Sequence, residues 1–307
     1  MRDHFIQRLG ELVQQDPNIL LITGDLGFGV FNEFRENYPD NFINVGVAEQ
    51  QMTGLATGLA LEGKTTFTYS IANFATLRCL EQIRNDAAYH GANVNVVCIG
   101  GGFSYGALGI SHHATEDLAI LRSIPDITVV APCGHWETMA ATAAIAQESG
   151  TAYLRLDKSA GDDSAITAGE SFRLGCARIL HPGTDCTIIT AGGILEEVQK
   201  AAAELSSKNI AARVISMHTI KPIDVETVLT AATETNALIT VEEHTVNGGL
   251  GSAVLEVLAD HEQFTRVLRI GLEDRFSSIV GSQQYLRQQY KLDAASIAQR
   301  TIEFLEQ

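Results

Sequence analysis

Short apolar runs that alternate with helix-like segments constrain the fold of this chain more than any other feature. In the first half the runs lie at 18–23, 65–70, 93–99, 127–131 and 152–156, with helix-like stretches at 5–15, about 74–90, 116–123 and 135–149. Continuous apolar runs are typical of strands that are buried on both faces of a parallel sheet. Strands that alternate with helices predict an α/β fold, and its functional loops should follow the carboxyl ends of the strands. Those loops are 24–29, 46–50, 70–74, 100–114 and 155–159.

A second alternation follows a polar stretch at 157–170 that is rich in Gly, Ala and Ser. Its apolar runs lie at 186–191, 212–216, 237–241 and 267–270, and its helix-like stretches near 194–207, 224–234, 249–260 and 293–306. The composition of the polar stretch favours a linker. We therefore predict a first α/β domain over 1–158, a linker over 159–170 and a second α/β domain over 171–307.

The composition excludes several classes of protein. The 307 residues are 45% hydrophobic and carry a net charge of −16, which argues against a nucleic-acid or anionic-membrane partner. No run approaches the roughly 18 uninterrupted apolar residues of a membrane span, and the charged N-terminus does not resemble a signal peptide. Five cysteines without a CxxC pair are typical of buried thiols in a reducing compartment, so we expect a cytoplasmic protein.

The segment 42–63 contains the first candidate functional residue. Glu49 stands where an apolar run ends and a helix-like stretch begins, at the edge of the sheet where ligands bind. A carboxylate in the first turn of a helix also suits the helix dipole, so Glu49 taken alone is equally an ordinary helix-initiating residue. Gly54 and Gly58 lie four residues apart, as do Ala56 and Ala60, and small residues at this spacing allow close packing inside the domain or at an interface.

Three motifs in the first half and four in the second stand in a fixed order. They are GVAEQ at 46–50, FATLRCLEQIRN at 74–85, the loop GGGFSYGALGISHH at 100–113, then TAG at 190–192, IKP at 220–222, EEH at 242–244 and GGLG at 248–251. Together they resemble the C-terminal portion of transketolases over nearly the whole chain. The resemblance implies a thiamine-diphosphate-binding fold of the pyrimidine type, with a parallel sheet flanked by helices, followed by a transketolase C-terminal-like α/β domain.

The resemblance also implies roles around the cofactor, thiamine diphosphate. Glu49 matches the catalytic glutamate that hydrogen-bonds a ring nitrogen of the aminopyrimidine and so makes the neighbouring amino group a base. Phe74 matches the aromatic residue that stacks on that ring. Leu26 matches the aliphatic residue that supports the bent cofactor, and Asp25 precedes it at a family position. By pattern alone, Phe74 and Leu26 are equally ordinary core residues.

Three further residues match family positions at the substrate. His112 matches a catalytic histidine that lies near the reacting carbon and binds substrate hydroxyls. Arg2 precedes Asp25 by 23 residues, where the family has an arginine for the sugar phosphate, although a terminal arginine can equally be only solvated. Lys158 stands where an arginine is usual, and it keeps the charge without the bidentate fork. His112 and His113 are adjacent and cannot face one point as metal ligands, so we expect no metal site in this chain.

Two departures from the family pattern shape the prediction. The chain has no GDG motif for Mg²⁺ and the diphosphate, so it resembles the smaller subunit of a split transketolase. We expect a larger partner subunit to hold the diphosphate and Mg²⁺, an α2β2 assembly that includes a dimer of this chain, and no activity from the isolated chain. Ala107 and Leu108 replace an acidic pair in the substrate loop, and Gly100 and Gly29 replace a usual His and Ser. Lost polar partners change specificity, so we expect a modified, deoxy or nucleotide-linked sugar instead of the standard pentose phosphates.

Other functions remain open at this stage. The β subunit of a 2-oxoacid dehydrogenase shares the glutamate and the second domain, although the 74–85 and 100–113 motifs fit transketolase better. Deoxyxylulose-phosphate synthase is a second relative on the same scaffold. A non-catalytic interaction subunit would retain the fold, but it has no need of Glu49, Phe74 and His112 together.

Overall fold

A seven-stranded sheet forms the centre of the first domain in this computed structural model, which describes residues 1–27, 29–165 and 169–307. Its own strands are β1 Ile19–Thr23, β2 Phe42–Asn44, β3 Thr65–Ile71, β4 Val94–Ile99, β5 Ile127–Val130 and β6 Thr151–Leu156. These six strands pair in parallel in the order β5-β6-β4-β3-β1-β2. Most of their residues are buried, as expected for continuous apolar runs. Phe28 of the predicted loop 24–29 and residues 166–168 of the predicted linker lie outside the described residues.

Helices cover both faces of this sheet. They are α1 Arg2–Gln15, α2 Asn32–Asn37, α3 Glu49–Leu61, α4 Ala72–Thr76, α5 Asp117–Arg122 and α6 His135–Gln147. The side chains that α3 buries recur with helical periodicity, and they are Glu49, Met52, Thr53, Ala56 and Thr57. Gly54 and Gly58 lie on the outer side of α3, because a Cβ atom built on either would meet no atom within 4 Å. These two glycines therefore do not serve close packing inside the domain, whereas Ala56 is fully buried in its core.

The helix predicted at 74–90 is divided. Helix α4 ends at Thr76, residues 77–79 form a turn, and residues Gln82–Ala88 form a π-helix. In this turn the backbone carbonyl of Arg78 accepts a hydrogen bond from Gln50 Nε2 of α3 at 3.0 Å. The carbonyl therefore has a hydrogen-bond partner outside the 74–90 segment. Residue-level periodicity did not predict this division.

The second domain contains a five-stranded sheet in the order β12-β11-β8-β9-β7. Its elements are β7 Arg178–His181, β8 Cys186–Thr190, α7 Leu195–Ser207, β9 Ala212–Ser216, β10 Thr219–Lys221, α8 Val225–Glu234, β11 Ala237–Thr245, α9 Leu250–Asp260, β12 Arg266–Leu272, α10 Gln283–Gln289 and α11 Ala294–Leu305. The four predicted strands and four predicted helices are present within a few residues. Three elements were not predicted from the sequence: strands β7 and β10, which are short, and helix α10, which is polar.

Strand β10 leaves its own domain and joins the first sheet. It pairs antiparallel with β5, through Thr219 with Val130 and Lys221 with Val129. The six strands of the first domain pair in parallel as predicted, and β10 adds an antiparallel edge strand that was not predicted. An edge strand exposes unpaired backbone groups, and β10 covers those of β5.

A buried polar network joins the two domains beside this strand. Arg155 at the end of β6 lies 3.6 Å from Asp117 and 3.5 Å from Asp157, and it donates to the backbone carbonyl of Glu243. His244 accepts a hydrogen bond from the backbone amide of Ala119 across the same boundary. The domain interface thus has specific charged and hydrogen-bonded contacts in addition to apolar packing.

Candidate active site

Glu49 is a buried carboxylate at the carboxyl edge of the first sheet. It is the first residue of α3, directly after β2 and the sharp turn at Gly46, which has φ +75°. Only 6% of Glu49 is exposed. Gly24 allows this arrangement, since a Cβ there would lie 3.3 Å from the Gly46 carbonyl oxygen and 3.7 Å from Glu49 Cγ. The turn after β1 and the start of α3 therefore meet at the carboxylate.

Arg78 connects Glu49 to Phe74. Its Nη1 atom lies 3.1 Å from Glu49 Oε1, and its guanidinium carbon lies 4.3 Å from the centre of the Phe74 ring. About half of the Arg78 side chain is exposed, whereas the Glu49 carboxylate is enclosed. Arg78 was not among the site residues predicted from the sequence. Its place four residues after Phe74, a spacing that brings two side chains together on a helix, was the available signal.

His112 also lies beside Phe74. The two ring centres are 5.0 Å apart in an edge-to-face arrangement, and Ser111 Oγ is 2.9 Å from His112 Nδ1. Partial burial lowers the pKa of His112, and the nearby charges of His113 and Arg78 lower it further. The ring is therefore neutral at pH 7, with one nitrogen able to donate and the other able to accept a hydrogen bond. His113 points the opposite way and is buried against Phe103.

Asn73 holds the loop that carries His112, and the sequence analysis missed it. The buried Asn73 side chain donates from Nδ2 to the carbonyl of His113 at 2.8 Å, and the carbonyls of Ser111 and Ile110 lie at 3.3 and 3.4 Å. Asn73 directly precedes Phe74 in α4. One side chain therefore sets the position of His112 relative to Phe74. A polar residue next to the matched aromatic was the only signal for it in the sequence.

Asp25 and Leu26 form the turn after β1. Asp25 has φ +59°, and its backbone amide donates to Asn44 Oδ1 at 3.0 Å while Asn44 Nδ2 donates to Asp25 Oδ1 at 3.2 Å. Asn44 thereby stabilises a left-handed conformation that a non-glycine residue adopts at a cost. Leu26 is partly buried and lines a cavity of about 130 Å³ with Asp25 and Phe31. In this turn Gly24 approaches the Glu49 side chain.

Arg2 and Lys158 line a separate, larger pocket of about 390 Å³. The Lys158 Nζ atom lies 3.8 Å from the centre of the Tyr105 ring, and Arg2 Nε lies 2.8 Å from Asp3 Oδ1. Partial burial lowers the pKa of Lys158, and the charge of Arg2 adds to that effect. Tyr105 also reaches His112, with the ring centres 6.1 Å apart. The candidate site thus extends from Glu49 through Phe74 and His112 to a pocket that contains two cations, Arg2 and Lys158, together with Asp3 and Asp157.

Two kinds of feature are absent from the described part of the chain. No group of three or more His, Cys, Asp or Glu side chains within 1–27, 29–165 and 169–307 is arranged to hold a metal ion. In the same ranges, none of the helices combines the length and the apolar character that crossing a membrane requires.

Comparisons with known proteins agree on one family. Residues 1–162 match the transketolase pyrimidine-binding domain, and residues 175–297 match the transketolase C-terminal domain. One subunit of the apulose-4-phosphate transketolase of Phocaeicola vulgatus is 37% identical over 306 residues, which cover 99% of this chain and 97% of that protein. The 6-deoxy-6-sulfo-D-fructose transketolase subunit of a Clostridium species is 36% identical over 307 residues, with 100% and 94% coverage.

A solved structure gives the same result for the fold. A split-gene transketolase, described as an inactive β4 tetramer, superimposes with a TM-score of 0.89 at 34% identity, and the match covers 99% of this chain and 97% of that one. The predicted order of a pyrimidine-type domain and a C-terminal-like domain is confirmed. The chain therefore belongs to the transketolase family, and it carries that family's pyrimidine-binding domain followed by its C-terminal domain.

Proposed function

We propose that this chain is the small subunit of a heteromeric transketolase that depends on thiamine diphosphate and transfers a two-carbon ketol unit between sugars. The observation that carries the proposal is the row formed by Glu49, Phe74 and His112. A buried carboxylate, an aromatic face and a neutral imidazole follow one another there, with the Arg78 guanidinium in contact with both Glu49 and Phe74. The family assignment supports a dependence on thiamine diphosphate.

The contacts of Arg78 test whether these residues fit the aminopyrimidine. The guanidinium is flat and carries N–H groups, and it lies on Phe74 while it bonds to Glu49. A flat nitrogen-containing group can therefore contact both residues at once. Glu49 and Phe74 would hold the aminopyrimidine in this way, and we assign Leu26 and Asp25 to the supporting turn beside it. Arg78 must leave Phe74 when the cofactor occupies that face.

Each residue has a distinct task in this reaction. When bound, thiamine diphosphate supplies the nucleophilic carbon and the electron sink for cleavage of a carbon–carbon bond. The enclosed Glu49 carboxyl would share a proton with a ring nitrogen of the bound aminopyrimidine. His112 is neutral, so it can bind a substrate hydroxyl as donor or acceptor. Arg2 and Lys158 bind the distal end of the sugar, where their charges suit an anionic group.

We assign the diphosphate and its Mg²⁺ to a larger partner subunit. The relatives support this assignment, because two of them are named as transketolase subunits and match this chain along nearly their whole length. Their names also support a non-standard sugar, since one refers to apulose 4-phosphate and the other to 6-deoxy-6-sulfo-D-fructose. In this chain Ala107 and Leu108 are exposed in the loop before His112, where an acidic pair would contact a sugar.

We further propose that two copies of this chain associate in an α2β2 enzyme. The outer side of α3 supports this, because Gly54 and Gly58 leave open space there for a second backbone.

Reconstitution with the larger subunit tests the proposal. Glu49→Gln should lower ketol transfer by the factor of about 10² to 10⁴ that positioned acid–base groups typically contribute. Glu62→Gln makes the same chemical change at the exposed end of α3 and should leave turnover unchanged. The assay is sugar turnover in the complex, and 2-oxoacids with an artificial electron acceptor serve as the competing substrate class.

Calorimetry provides a second measurement. Thiamine diphosphate should bind the complex and should bind the isolated chain weakly or not at all. Normal turnover by Glu49→Gln, or turnover of 2-oxoacids in place of sugars, would contradict the proposal.

A further inference from the structure

Tyr105 occupies a position that only a glycine at residue 100 permits. Gly100 has φ +103°, and a Cβ there would lie 2.3 Å from Tyr105 Cδ2 and 2.4 Å from Cε2. Real side chains do not approach so closely, so any other residue at 100 would displace the ring. The backbone around the ring is also fixed. The Gly100 amide donates to the Leu156 carbonyl, and the Leu108 amide donates to the Tyr105 carbonyl.

The ring lies between the two ends of the candidate site. On one side its centre is 6.1 Å from the centre of the His112 ring. On the other side the ammonium of Lys158 lies over the ring, 3.8 Å from its centre. Arg2 lines the same pocket as Tyr105 and Lys158. A sugar that reaches from His112 to the cations must therefore pass along Tyr105.

The contact with Lys158 has a physical consequence. A lysine side chain is long and flexible, and Lys158 is otherwise largely exposed. The negative face of an aromatic ring attracts an ammonium ion, so the ring holds the charge of Lys158 at the pocket. Burial raises the pKa of the Tyr105 phenol, which stays protonated and adds no negative charge.

We propose that Tyr105 is a specificity-determining residue, whose ring positions Lys158 so that the pocket favours sugars with an anionic group at the end remote from the reaction. This inference rests on the proposed function. It adds Tyr105 to the substrate pocket as a residue that acts through Lys158. The essential part of Tyr105 is the ring, not the hydroxyl group.

Binding of D-ribose 5-phosphate and of D-ribose to the full-length chain, each titrated by protein-observed NMR, tests the proposal. The wild type should prefer the phosphorylated sugar. Tyr105→Leu should reduce the ratio of the two affinities about tenfold, the size expected for the loss of one partly desolvated cation–π contact. Tyr105→Phe retains the ring and should keep the wild-type ratio. Tyr89→Leu, at an exposed tyrosine, is the matched control and should also keep it.

A double-variant comparison separates this role from a structural one. In a Lys158→Met background, Tyr105→Leu should cause no further loss of preference, because there is no charge left to position. Equal affinities of the wild type for both sugars would overturn the proposal. An equal loss in Tyr105→Phe and Tyr105→Leu, or a further loss in the Lys158→Met background, would overturn it as well.

The readout is independent of the proposed reaction. If the chain distinguishes the two sugars but the complex shows no ketol transfer, only the proposed function is contradicted. If the complex transfers ketol units but the chain binds both sugars equally, only the role of Tyr105 is contradicted.

Discussion

Replacing Asn73 with alanine should loosen the loop that carries His112 and leave the two sheets in place. An amide nitrogen has two hydrogens, so Asn73 donates to at most two of the three carbonyls it faces. The bond to His113 is short and buried, and it contributes about 1 kcal/mol net. Removal of the donor also leaves a buried carbonyl unsatisfied, which raises the expected loss to about 1.5–3 kcal/mol.

Urea denaturation of the full-length chain measures this loss, and amide hydrogen exchange locates it. Exchange should increase over 109–114, where the amides of His112 and His113 donate to the Gly109 carbonyl. Asn73→Asp keeps the size but exchanges donors for acceptors, so it should cost at least as much. Asn37→Ala, at an exposed residue of α2, should change stability by less than about 0.5 kcal/mol. If Asn73→Ala resembled that control and exchange did not change, the assigned role of Asn73 would be wrong.

Two other changes concern the interior of the protein. In the wild type, Arg178 Nη1 lies 2.8 Å from Oε1 of the fully buried Glu137. Arg178→Met should destabilise the fold by about 3–5 kcal/mol, because it leaves the Glu137 carboxylate as a buried, unpaired charge. Arg178→Met combined with Glu137→Met should recover most of that loss in guanidinium denaturation, and a double variant no better than the single one would contradict this. Burial lowers the pKa of His218 to about 3, so His218 is neutral in the fold and takes up a proton on unfolding below about pH 6.5. Its contribution to stability is therefore complete above that pH and falls by up to about 1.4 kcal/mol per pH unit as the pH drops toward 3. The free energy of unfolding of His218→Gln should consequently vary less with pH over this interval than that of the wild type, and parallel curves would exclude the effect.

The sequence predicted the parts of the fold that depend on local pattern. Buried apolar runs such as 19–23 became strands because they have no polar side to expose, and α3 began at the predicted Glu49. Strand β10 was missed because a three-residue strand has too little pattern to detect, and its partner is about ninety residues away in the chain. The domain limits at 158 and 170 remain predictions.

The candidate site was predictable where family motifs mark single residues. Glu49, Phe74 and His112 come from three separate motifs, and the fold brings them into one row. Arg78, Asn73 and Tyr105 were not identified, because their importance lies in contacts with other residues. An arginine that bonds Glu49, an amide that faces three carbonyls and a ring that rests on a glycine backbone become visible only with coordinates.

The pairing of β10 with β5 has a consequence for how the chain is made. During synthesis the first 156 residues, which contain all six parallel strands, emerge from the ribosome well before residues 219–221. During that interval β5 is an open edge, which is able to pair with another chain. Completion of the first sheet therefore waits for the second domain, and a fragment that ends in the linker should aggregate although it contains Glu49, Phe74 and His112. The two domains are separate in sequence, but they finish folding as one unit.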